Sequence, residues 1–338
     1  MKILVTGAGG YIGTTLVPLL LSNGHHVKAV DRFFFGKELL NTHDNLEFVY
    51  EDARHIKLEE FHGIDAVIDL VAISNDPSGE AFKKQTYEIN HESRARTAKL
   101  AKEAGVSRYI LPSSASIYGF QDKDFIANEA SQTNPLTTYA IANEMAEKDI
   151  LPLASDDFCV VVLRQSTVYG YSPRMRMDLA INGMTYGAWK TGKLPLMRDG
   201  TQWRPMVHVK DTARAQMFML DADITKVNGE IFNVGSDENS YQLKDLAERV
   251  CNTIGDVEIE WYGDKDLRSY RVSFEKIEAL GYKAKKIAED GVKEILEKLE
   301  SGELEKTVKT ITLEWYQELA SWHKKIKEVE KYGGILDI

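Results

Sequence analysis

The stretch that decides the fold is Lys2-Ile3-Leu4-Val5-Thr6-Gly7-Ala8-Gly9-Gly10-Tyr11-Ile12-Gly13. A short β-branched run enters a glycine-rich turn, and Tyr11–Asn23 then carries apolar residues at helical spacing. Gly7, Gly10 and Gly13 recur every third residue. So tight a turn needs positive φ, and a phosphate can approach its backbone only where no Cβ intervenes. The helix that follows offers unpaired N–H groups and the positive end of its dipole to an anion, and Gly13 lets that helix lie close on the strand. The spacing departs from G-x-G-x-x-G, because Ile12 stands where the last glycine belongs.

Working outward, further strand-like runs fall at His26–Asp31, Leu46–Tyr50, Ala66–Val71, Arg108–Pro112 and Phe158–Arg164. Helical patterns separate them, most clearly Glu80–Ala104 and Thr138–Leu153. Apolar runs without alternation, joined by helices, predict an α/β fold with a doubly wound parallel sheet, a Rossmann fold, binding its ligand at the C-terminal strand ends. Past Tyr169 the rhythm changes. A smaller α/β substrate-binding region is expected there, so that residues 1–170 form the dinucleotide domain and 171–338 a cap, with segments near 205–240 returning to the first domain. Helices are expected at Asp211–Asp221, Gln242–Asn252, Ser273–Leu280 and Ala288–Leu299, a strand at Glu230–Val234, and a long closing helix over Leu304–Tyr332 with Trp315 and Trp322 on its buried stripe.

Asp31, at the end of the second strand, can accept hydrogen bonds from ribose hydroxyls and repels a 2′-phosphate, which favours NAD over NADP. The neighbouring Arg32 argues the other way. Tyr11 and Ile12 fall in the phosphate turn. Asp52-Ala53 is positioned for the adenine, or is an exposed loop acid. Leu70, Ala72 and Asn90 complete the expected cofactor contacts.

The 338 residues carry 42 Lys+Arg against 52 Asp+Glu, a net charge of −10. Such a surface argues against nucleic acid as the main partner. Cys159 and Cys251 read as small core residues in a reducing compartment. With no long apolar run and a strand-like start, a cytoplasmic protein without membrane contact is expected. His25-His26 lacks the ligand spacing of a metal site, and none is expected. His208 reads as a core histidine, and Phe33-Phe34-Phe35 as packing or an adenine flank.

Two more segments carry chemistry: Pro112-Ser113-Ser114-Ala115-Ser116-Ile117-Tyr118-Gly119, and Thr137-Thr138-Tyr139-Ala140-Ile141-Ala142-Asn143. With Leu163-Arg164, Val168-Tyr169-Gly170 and Arg204-Pro205-Met206-Val207-His208-Val209-Lys210-Asp211, they resemble the extended short-chain dehydrogenase/reductase family, the NAD-dependent nucleotide-sugar epimerases and dehydratases. The resemblance covers nearly the whole chain. It implies that Ser114 hydrogen-bonds the reacting sugar oxygen and that Tyr139 exchanges its proton. It also implies a homodimer through the helices at Glu80–Ala104 and Thr138–Leu153.

A phenol with an ordinary pKa near 10 is a poor base at neutral pH and needs a neighbouring positive charge. The lysine this family carries four residues after the tyrosine is here Asn143. An amide can bridge ribose hydroxyls but supplies no charge, so a slowed reaction is expected, and Asn143→Lys is expected to speed it. The family's dehydratases carry an Asp-Glu pair after the active hydroxyl; Ala115 and Ser116 stand there instead. Its C3/C5 epimerases carry a cysteine where Ser116 stands. What remains is a C4 epimerase, with a 4-dehydrogenase or ketoreductase, or a nucleotide-sugar-binding protein with negligible turnover, as alternatives. Substrate contacts are expected from Arg204, Arg174, Arg176 and Arg268, whose guanidinium forks suit phosphate, together with Ser74, Ser116 and Thr167. Two further departures are Thr167, where the family has asparagine, and Asp69, where it has histidine.

Overall fold

The structure is a computed structural model and describes residues 1–121, 125–263 and 269–330. Its centre is a parallel sheet built from β1 (Lys2–Thr6), β2 (His26–Asp31), β3 (Leu46–Tyr50), β4 (Ala66–Asp69), β5 (Arg108–Ser114), β6 (Cys159–Gln165) and a seventh strand, Glu230–Val234, in the order β3-β2-β1-β4-β5-β6-seventh. Alternate side chains of the fully buried strands feed two separate cores. Ile3 and Val5 join Leu16, Leu20 and Val161 on one face, while Leu4 joins Val67, Leu111 and Val162 on the other. Burial on both faces is why these strands read as unbroken apolar runs.

The register places function. Thr6 lies opposite both Val30 and Asp69, and Ser114 opposite Gln165, so β1, β2, β4 and β5 all end along one rim. The strand order reverses between β1 and β4, and the crevice opens there.

Helix α1 (Gly13–Ser22) follows the glycine turn, and α2 (Asp76–Ala81) follows β4. The expected helix over Glu80–Ala104 is broken: Lys83–Tyr87 runs through a π-helical Glu88–Ser93 into α3 (Arg94–Glu103). The wide turn holds Asn90, whose amide bonds both the N–H and the carbonyl of Ile73, at 2.8 and 3.0 Å. A side chain clamping the loop after β4 thus interrupts the regular spiral. Helix α4 (Thr138–Ile150) is capped by Thr137, whose hydroxyl accepts from the N–H of Ala140.

A smaller lobe gathers α5 (Ala180–Thr191), α6 (Leu243–Ile254) and α7 (Ala288–Glu300) around Leu194, Met206 and Val250. The helix Val209–Asp221, which precedes the seventh strand, packs on α1 beside the main sheet.

The closing helix, α8, is shorter than its apolar spacing implied, spanning Thr312–Glu330. Thr307 and Thr310 bond each other's backbone, and the Thr310 carbonyl accepts from the N–H of Met177 at 2.8 Å, which turns the chain before α8 starts. Trp315 is buried, but Trp322 is 46% exposed and meets Trp315 only edge to face, which corrects its expected place on a buried stripe. Among the described residues no helix is long and apolar enough to cross a membrane.

Candidate active site

A cavity of about 600 Å³ follows the strand rim from the glycine turn to β5. The turn requires its glycines. Gly7 has φ +65°, and a Cβ there would stand 2.8 Å from the backbone of Leu70 and Val71. At Gly13 a Cβ would stand 2.4 Å from the Ala8 carbonyl oxygen. The open side of the turn, with Gly10, Tyr11 and Ile12, faces the cavity.

At one end stands the Asp31 carboxylate, held by the N–H groups of Gly9 at 3.0 Å and Phe33 at 2.6 Å. Burial nonetheless raises its pKa above the ordinary carboxylate value. Arg32 turns toward Asp52, at 3.2 Å, and stacks on Phe34. Burial alone would raise the Asp52 carboxyl, but Arg54, bonded at 2.8 Å, and Arg32 hold it at about 2. The aromatic triplet divides its work: Phe33 packs against Phe48 and Tyr50, whereas Phe34 and Phe35 line the cavity. Tyr316 and Leu319 of α8 close that end, where nothing in the glycine turn or the strand pattern pointed to them. Leu70, Ala72, Ala53 and Ser74 also line the cavity, but Asn90 lies behind the loop it clamps.

At the other end Ser114 and Tyr139 meet. β5 delivers the serine and the first turn of α4 the tyrosine, and both line the same cavity, with Ser114 close enough to act on the phenol. The Ser114 hydroxyl also lies 2.9 Å from that of Ser116. Burial pushes the Tyr139 phenol above its ordinary value; Ser114, Arg94 and Arg176 draw it down, and Asp76 opposes them.

Asn143 does not line the cavity. It is 1% exposed; its amide donates to the Tyr139 carbonyl at 2.9 Å and its oxygen accepts from Arg94 at 2.9 Å. Arg94 went unnoticed in the sequence, where it looks like one more surface charge on a helix. The signal available was the buried acid Asp69, which needed a cation.

Of the expected substrate residues, Thr167, Ser116, Arg174, Arg176 and Arg204 line the cavity, and Arg268 lies outside the described residues. Arg176 bonds Asp178 at 2.6 Å and the Ser74 hydroxyl at 3.0 Å. Arg174 is the more unusual group. Only 4% exposed, it sits 3.7 Å over the Phe35 ring and donates one bond to Thr312, leaving Nε and Nη1 without a partner. Burial, with Arg176 nearby, lowers its pKa to about 10. A buried, half-satisfied guanidinium facing a cavity is built for an anion.

The sequence profile of the NAD dependent epimerase/dehydratase family matches residues 3–235. The chain belongs to that family. Two of its relatives are the UDP-glucuronate 4-epimerase of Thermodesulfobacterium geofontis, 26% identical over 75% of this chain and 80% of that protein, and the uncharacterized UDP-glucose epimerase YtcB of Bacillus subtilis, 28% identical over 72% and 79%. In fold, the chain is similar to the UDP-glucuronic acid 4-epimerase of Bacillus cereus, solved with UDP-glucuronic acid and NAD, with TM-score 0.79 and 23% identity over 89% of this chain and 99% of that one. The family's cofactor, NAD, fits the residues present: a glycine turn with no room for Cβ atoms, an acid at the end of β2, and a half-satisfied buried cation beside α1, whose Thr14 hydroxyl accepts from the backbone N–H of Arg174.

Proposed function

We propose that this protein is an NAD-dependent nucleotide-sugar 4-epimerase acting on a UDP-hexose. The pairing of Ser114 with Tyr139 on the cavity wall carries the reading, since it stands at the strand rim with no carboxylic acid at positions 115 or 116 to drive elimination. UDP is favoured by the names of the relatives.

Bound NAD supplies oxidation at the sugar carbon and returns the same electrons. Tyr139 takes the proton of the C4 hydroxyl as the carbon is oxidised and gives it back after the ketone has turned over. Ser114 holds the sugar oxygen through both steps, so the developing charge is met by a donor already in place. Asp31 accepts from the adenosine ribose, and Tyr11, Ile12 and the turn glycines face the pyrophosphate. Arg174, fixed beside α1, is assigned to that pyrophosphate rather than to the sugar. Arg204, stacked on Tyr270, and Thr167 serve the substrate diphosphate at the cavity's far side. Residues 1–170 with the returning segment near 205–240 form the cofactor lobe, and the rest of 171–338 the substrate lobe. α3 and α4 lie side by side, and the outer faces of this pair are proposed as the seam of a cytoplasmic homodimer.

The test is anaerobic incubation with UDP-, GDP-, CDP- and dTDP-sugars, followed by the reduced-nicotinamide band and sugar NMR. Inversion at C4 without net cofactor change supports the epimerase. Stoichiometric reduced cofactor indicates a 4-dehydrogenase, and binding without either outcome refutes turnover.

A further inference from the structure

The inward face of α4 meets charge below the phenol. Tyr139, Asn143 and Glu147 recur at four-residue spacing, and the lower two each bond a buried guanidinium. Arg164 and Glu147, 2.7 Å apart, neutralise each other. Arg94 is held differently. Nη1 donates to Asn143, Nη2 donates to the carbonyls of Asp69 and Pro112, and Nε makes no hydrogen bond, lying 3.8 Å from the Asp69 carboxylate. That carboxylate accepts instead from the hydroxyls of Thr6 and Tyr109. The buried pair is therefore an oriented dipole, with its negative end toward β1 and its positive end toward α4. Replacing a buried ion pair with apolar residues of similar volume is often neutral or stabilising, so stability alone is a weak reason for this one.

We propose that Arg94 is the fixed cation of the proton-transfer site: backed by Asp69 and seated on Asn143, it stabilises the ionised form of Tyr139 from beneath the helix. The inference rests on reading Tyr139 as the acid/base group. Arg94 touches neither substrate nor cofactor; it is a positioning residue that acts through Asn143 and through its field. A nearby opposite charge favours the ionised form by about one to three pKa units. The other groups facing Tyr139 are Ser114 from β5, Asp76 from α2, and Arg176 from the segment after residue 169, which carries Asp178 as its own counterion. Glu80 bonds the backbone N–H of Thr138 at the helix start and is paired with Lys83. The arrangement also reverses the expectation for Asn143→Lys: an ammonium there would press against Arg94 in a buried site, so the single variant loses stability and activity.

The test uses the NAD-loaded protein with isotope-labelled tyrosine, Tyr139→Phe assigning the signal. It reads the NMR titration of Tyr139 and the pH profile of sugar conversion. Arg94→Met is expected to move both upward by about one pH unit or more, Asp69→Asn to move both downward, and Arg94→Lys to stay near the parent. The double variant Arg94→Met/Asn143→Lys, which transfers the charge to α4, is expected to restore the profile. If Arg94→Met fails to fold, Asp69→Asn decides. Folded variants that leave both readouts unmoved overturn the proposal. Should the parent protein convert no sugar, the epimerase reading fails, and the tyrosine titration alone then supports or overturns the role of Arg94.

Discussion

Trp315 donates its indole N–H to the carbonyl of Phe34 at 2.9 Å, joining residues 281 positions apart. The bond pins α8 onto the loop after β2, and Tyr316 on the next residue packs its ring toward Phe35 and Phe82. The last described helix thereby becomes a wall of the cavity at its Asp31 end. Tyr316→Ala is expected to weaken NAD binding about tenfold, because it removes a large apolar contact, and Trp315→Phe about threefold, the loss of one hydrogen bond. Calorimetric titration of NAD measures both.

Arg174 separates binding from stability. Its buried, unpartnered nitrogens make it a burden on the free protein and an asset once an anion arrives. Arg174→Met is expected to leave the thermal midpoint without NAD unchanged or raised by a few degrees, while NAD affinity falls by about tenfold or more. Thermal melts with and without NAD check this. A fallen midpoint with unchanged affinity would instead mark a structural arginine.

Tyr139→Phe removes the proton acceptor with little change of shape. Turnover is expected to fall by about 10² to 10⁴, with NAD affinity within about twofold of the parent. Steady-state kinetics and NAD titration together separate lost chemistry from lost binding.

Two glycines give a paired test of the turn. Gly7 and Gly24 both have positive φ, but only at Gly7 would a Cβ meet backbone, at 2.8 Å. Gly24→Ala is expected to cost about 1 kcal/mol, the conformational strain alone, and Gly7→Ala more than about 2 kcal/mol with loss of NAD binding. Denaturant titration gives the difference.

Acid should loosen the joint between the lobes. Burial alone would raise the Glu294 carboxyl of α7, but the His208 ring, 3.2 Å away, and Lys210, hydrogen-bonded at 2.9 Å, hold it at about 2. A carboxyl lowered in the folded state adds stability that is fully present above its unfolded value near 4.5 and is lost as pH falls toward 2. The contribution is at most about 3 kcal/mol. Glu294→Gln is expected to flatten the fall in stability between those values, read by denaturant titration across pH.

The sequence by itself determined the parallel sheet, the glycine turn and the placing of Ser114 and Tyr139 on one cavity wall. Each rests on local signals: unbroken β-branched runs, glycines where a Cβ has no room, and residues a strand end or one helical turn must present together. Tertiary structure alone decided what surrounds them. That Asn143 faces a buried guanidinium rather than the cavity, that Arg174 stands beside α1 with two free nitrogens, and that Tyr316 roofs the Asp31 end of the cavity all depend on side chains from 49 to 281 residues away along the chain. Burial and electrostatic partnership belong to the assembled fold, and no periodicity within a short window encodes them.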